Sequence, residues 1–86
     1  MSAAHDADRL VRIRVCHQQP DLRARADELI ARLAGTLGVA AEAIPGRLGE
    51  FSVLVGNEMV AKKGWLGVPS TARLVAAVRA ALPRGA

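Results

Sequence analysis

Eighty-six residues, 51% of them hydrophobic, are enough for one buried core and not for two, so a single domain is expected. Twelve Lys and Arg against eight Asp and Glu give a formal charge of +4. The basic residues are scattered from Arg9 to Arg84, the longest run is Lys62-Lys63, and only Phe51 and Trp65 are there to stack a base, which argues against a nucleic-acid partner. No apolar run approaches the roughly 20 residues that cross a bilayer, so no membrane association is expected.

Residues 1–8 are polar and aperiodic and read as a disordered tail, leaving 9–86 for the domain. Around His5, Asp6 and Asp8 there is no apolar segment of a secretory signal, and a chain with one cysteine fits a reducing compartment. The expected location is the cytoplasm. From Leu10, Val11, Ile13 and Val15 alternate with Arg12 and Arg14, which predicts a strand with one buried face. Cys16 shares the parity of the arginines. Leu22, Ala26, Leu29, Ile30, Leu33 and Leu37 then recur at helical spacing, with Asp21 behind Pro20 as the expected N-cap and Gly38 as the stop.

Ala41-Glu42-Ala43-Ile44, bounded by Pro45 and Gly46, reads as a short strand. Phe51, Val53 and Val55 begin another, and Gly56-Asn57 suits a two-residue type II′ turn into Glu58-Met59-Val60-Ala61-Lys62. That turn pairs Leu54 with Met59, opposite the face of Phe51, Val53, Val55 and Val60. Leu54, Met59 and Ala61 are therefore expected to form an apolar patch on the open side of the sheet, suited to a second copy or another protein. A glycine-rich connection, Gly64 to Pro69, leads to Ser70 as N-cap of a last helix with a buried stripe of Leu74, Val75, Val78, Ala81 and Leu82, closed by Pro83. The predicted fold is α/β: β-α-β-β-β-α, a mixed four-stranded sheet with both helices on one face.

Cys16 stands at a strand-to-helix junction, where a redox C-x-x-C is found, with Gln19 in the place of the second thiol. Dithiol exchange needs that second thiol to resolve a mixed disulfide. A lone thiol still exchanges with an external one when its thiolate is populated near neutral pH, and the following helix N-terminus together with Arg14 would favour the thiolate. The other reading makes Cys16 an inert, half-buried apolar residue. His17 is a candidate base, though neighbours in extended chain point to opposite faces. No metal site is expected, since His5 lies in the tail and three or four ligands must converge. Ser52, Ser70 and Thr71 lack a histidine and carboxylate at catalytic spacing.

The block from Gly49 through Phe51, Val53, Val55 and Val60 to Lys63 resembles the G-x-F-x-V-x-V-x-G-x-x-V-x-x-K hairpin of the small thioredoxin-like proteins related to selenoprotein W, the Rdx family. Gly67-Val68-Pro69 is similar to the family's G-F-P turn, and Arg25-Ala26, Leu29 and Leu33 to its R-A-x-x-L-x-x-x-L helix. The resemblance runs from about Val11 to Leu82 and implies a thioredoxin-like two-layer sandwich with a role in thiol redox homeostasis. It also places the 64–69 loop beside the start of the first helix, so that Trp65, Val68 and Pro69 would rim Cys16, with His17 and Gln19 as further binding residues. The alternative for Trp65 is that it closes the bottom of the core.

Counting back from Arg25-Ala26 without gaps puts His17 and Pro20 at the family's two redox positions; a one-residue shift puts Cys16 and Gln19 there. In both alignments the second reactive group is missing. The implied chemistry is at most monothiol, with glutathione as the thiol partner and no other cofactor. The competing expectation is a non-catalytic protein-interaction module that keeps the fold.

Overall fold

The structure, a computed structural model, describes residues 10–82. The expected tail, residues 1–8, and the closing Pro83 lie outside these residues. β1 (Val11–Val15) buries Val11, Ile13 and Val15 completely while Arg12 and Arg14 stay partly exposed, as the alternation predicts. α1 (Pro20–Leu37) buries Leu22, Ala26, Leu29 and Leu33, one stripe along its length. Its N-cap is Gln19 and not Asp21. Proline has no N–H to give and its ring presets a helical φ, so the helix begins on Pro20 itself and Asp21 falls in the first turn, beside the positive end of the helix dipole. α1 stops at Gly38 (φ 65°), as expected.

β2 (Ala41–Pro45) pairs parallel to β1 with Val11 opposite Ala41, and β3 (Phe51–Val55) pairs antiparallel on the other side with Val15 opposite Phe51. β4 (Glu58–Lys62) completes the order β2-β1-β3-β4. α2 (Thr71–Ala81) is capped by the Ser70 hydroxyl, which accepts the Arg73 backbone N–H at 3.2 Å. It buries Leu74, Val75 and Val78, together with Thr71, while Ala81 and Leu82 are only partly covered. The helices lie together over the face of Val11, Ile13, Val15, Phe51, Val53 and Val55, and these residues form one contiguous core. Each fully buried aliphatic side chain there contributes about 1.5–3 kcal/mol through removal from water.

The β3–β4 turn has Gly56 at φ 62° and Asn57 outside the positive-φ region, the pattern of a type II′ turn, and Leu54 does pair with Met59. Beyond that pair the register shifts: Val53 faces Ala61 and Ser52 faces Lys62, so Val60 is an extra residue in β4. Such a bulge resets the two-residue alternation. Ala61 consequently packs with Val60 against the helix-covered core, and Lys62 takes its place on the open face. The expected Leu54-Met59-Ala61 patch is thus corrected to a smaller one. Met59 is 46% exposed, but Leu54 is only 9% exposed between β1 and β4, and the ion pair of Arg12 with Glu42 (3.4 Å) lies along the same face.

No helix among the described residues is long and apolar enough to cross a membrane.

Candidate functional site

Because β1 and β2 run parallel and β3 runs against them, the ends of β1, β2 and β4 and the start of β3 all meet at one end of the sheet. Three loops leave from that end: 16–19, 46–50 and 63–70. Gly46 lets the second loop fold back against β1. A Cβ there would lie 2.8 Å from Glu50 Oε1 and 3.0 Å from the Val15 nitrogen. The Gly46 N–H donates to the Val15 carbonyl at 3.0 Å.

Cys16 sits at the centre of these loops. Its backbone N–H donates to the Glu50 carbonyl at 2.9 Å, one rung beyond the last pair of β1. The residue is 2% exposed and joins the core cluster, although its strand parity matched that of the arginines. The chain leaves the extended conformation at this residue for the His17-Gln18 turn, so parity no longer sets the side-chain direction. The backbone N–H of Gly49 is the main influence that holds the thiol below the ordinary thiol range. Burial opposes it, while the N–H groups of Gln18 and Gln19 and the Lys63 ammonium act in the same direction as Gly49.

Glu50 organises the other side of the site. Its carboxylate accepts the Arg47 backbone N–H at 2.8 Å and the Ser52 hydroxyl at 2.9 Å, and lies 3.7 Å from the Arg14 guanidinium. The Arg47 N–H is the foremost cause of a carboxyl pKa below the usual range; burial works against it, and Ser52, Arg14 and the Arg47 charge reinforce it. The hydrogen bond also satisfies the Ser52 hydroxyl, which is buried on the open face of the sheet.

Of the residues expected in the site, Gln19 comes closest to the sulfur's surroundings. Its Oε1 and the Lys63 ammonium lie 3.7 and 3.9 Å from where a Gly49 Cβ would be. His17 is exposed, and its Nδ1 accepts a hydrogen bond from the Arg23 guanidinium of α1 at 2.8 Å, which places the ring proton on Nε2. Trp65 does not close the core: it is 100% exposed. Val68 packs against the core, and the Pro69 carbonyl accepts the Arg25 guanidinium, at 2.6 Å, which ties the loop to α1. Val68 and Pro69 therefore anchor the loop, while Trp65 projects into solvent. Among the described residues no three His, Cys, Asp or Glu side chains converge as metal ligands do.

Sequence reasoning missed Gly49, Glu50 and Lys63 as neighbours of Cys16. The signal was present in the topology: a strand antiparallel to β1 must begin where β1 ends, so the residues just before Phe51 had to lie beside Cys16. No family model matches the chain, and no curated protein is significantly similar to it.

Proposed function

We propose that this protein is a thioredoxin-like domain of the selenoprotein W-related type that works through one thiol, Cys16. The observation that carries the reading is the position of Cys16, at the end of β1 and just before the N-terminus of α1, with its backbone N–H bonded to the Glu50 carbonyl, where the Gly49 N–H, and after it those of Gln18 and Gln19, favour the thiolate. Support also comes from the mixed four-stranded sheet with both helices on one face, which is compatible with the sandwich that the sequence resemblance implies.

The chemistry is a single exchange. The Cys16 thiolate attacks one sulfur of a disulfide such as oxidised glutathione, a Cys16–glutathione disulfide forms, and the second glutathione leaves as thiolate. With Gln19 where the second thiol would stand, the mixed disulfide is released only by another external thiol, so the protein carries or senses a thiol adduct and does not reduce disulfides by itself. Cys16 is 2% exposed, so exchange at its sulfur requires local opening of the loops around it.

The test is incubation of the full chain with oxidised glutathione at neutral pH, followed by intact-mass measurement. The reading expects one glutathione per chain, absent in Cys16→Ser. A native protein that acquires no adduct over hours, and acquires one only in denaturant, would overturn it. A second reading, a non-catalytic protein-binding module, draws on the exposure of Trp65 and Met59 and would then take precedence.

A further inference from the structure

Gly64 and Gly67 exchange two backbone hydrogen bonds, at 3.0 and 3.1 Å, and close a two-residue turn. Gly67 holds φ at 106°, a conformation that side-chain-bearing residues rarely adopt, so the shape of the turn is built into the sequence. At its tip stand Trp65 and Leu66, 100% and 101% exposed. On the 46–50 loop, at the same end of the sheet, Leu48 is 79% exposed. These three residues, together with Met59 on the open sheet face, are the large apolar side chains left exposed among the described residues. The fold gains nothing from holding them in water.

Their surroundings are cationic. Lys62 and Lys63 lead into the turn, Arg47 precedes Leu48, and both helices start at this end of the molecule, which adds the positive ends of their dipoles. Of the acidic residues at this end, Glu50 is engaged by Arg14, Ser52 and the Arg47 N–H, and Asp21 lies in the first turn of α1.

We infer that this end of the domain docks on an anionic lipid surface, with Trp65, Leu66 and Leu48 entering the headgroup region and Lys62, Lys63 and Arg47 facing the lipid phosphates and carboxylates. Charge complementarity selects an anionic surface. The form of the apolar residues selects a bilayer: they are convex tips on two separate loops, and a bilayer conforms to such tips where a protein partner would need a matching pocket for each. Tryptophan settles at the boundary of water and hydrocarbon with its N–H in the polar layer, and lysine stems lie along apolar surface while their charges stay hydrated. This surface shares Lys63 with the surroundings of Cys16 but does not require the thiol, and it replaces the expectation of no membrane partner, which rested on the lack of a spanning segment.

Trp65 is the only tryptophan in the chain and reports on its own environment. The full chain is mixed with vesicles of phosphatidylcholine alone and of phosphatidylcholine with phosphatidylserine. Expected are a blue shift of the Trp65 emission and cosedimentation with the serine-lipid vesicles, weakened by salt. Leu66→Asp, which keeps the reporter, should abolish both, and Lys62→Glu with Lys63→Glu should lower partitioning at least about tenfold. An unshifted emission with both vesicle types overturns the inference. So does binding that ignores lipid charge and salt, or a blue shift that grows with protein concentration in the absence of vesicles, which would mean a second copy covers the tip. A blue shift with soluble polyglutamate and none with vesicles would assign the surface to an acidic protein and overturn it equally.

Discussion

Cys16 donates its backbone N–H to the Glu50 carbonyl at 2.9 Å, and that rung holds the end of β1 against the 46–50 loop, which carries Gly49. The side chain of Glu50 meanwhile holds the same loop through the Arg47 N–H and joins it to β1 and β3 through Arg14 and Ser52. One residue thus connects the thiol's backbone to the loop that supplies its strongest amide.

Replacing Glu50 by Ala removes three partners and leaves the buried Ser52 hydroxyl without an acceptor. Leaving a buried polar group unpaired costs about 1–3 kcal/mol. Chemical denaturation of Glu50→Ala should show a loss of that size, and an unchanged midpoint would mean that the carboxylate interactions are not formed in solution.

The pH dependence has a defined sign. Glu50 has a folded pKa below its unfolded value of about 4.3, so its contribution is fully present above that value and is lost as pH falls through the folded pKa. Comparing acid unfolding of the parent with Glu50→Gln isolates this residue. The parent should lose more stability than the variant across that acidic window, and parallel curves would contradict the assignment.

Gly46→Ala should destabilise the fold by about 1–3 kcal/mol, because a methyl group 2.8 Å from Glu50 Oε1 and 3.0 Å from the Val15 nitrogen must push the loop off β1. Trp65→Ala, in contrast, should change stability by no more than about 0.5 kcal/mol, since the side chain is fully exposed. Thermal melts of the two variants side by side check both. A large loss in Trp65→Ala would mean that the indole is buried in solution.

Lys63→Gln removes a cation that favours the Cys16 thiolate and should move the alkylation midpoint of Cys16 to higher pH, with the smallest effect among the groups around the sulfur. The difference should shrink in high salt, because Lys63 is exposed and its field is screened. A midpoint that stays in place at low salt would remove Lys63 from the site.

The strands, the helices and the parity of the core were legible because period-two and period-3.6 patterns are carried by the same residues that must be buried, from Val11, Ile13 and Val15 to Leu22, Ala26, Leu29 and Leu33. The side of the sheet on which Ala61 lies was not legible, because a bulge is a backbone event with no side-chain signature in Val60. Side-chain preference points to Asp21 as the N-cap, but Pro20 favours the first helical position and moves the cap to Gln19, whose side chain makes no cap hydrogen bond. In the site, the position of Cys16 at the strand end was readable and its surroundings were not. They are backbone amides of Gly49, Gln18 and Gln19, which every residue but proline carries, and only the fold decides where they point.

The most direct test of the account is the pH profile of Cys16 alkylation in the native full chain, set beside thiolate ultraviolet absorbance in the same titration. A midpoint clearly below that of a free cysteine peptide, lost in denaturant, is the predicted result. A native profile that follows the free peptide, or a thiol that reacts only after unfolding, would contradict the claim that the three amides hold a usable thiolate.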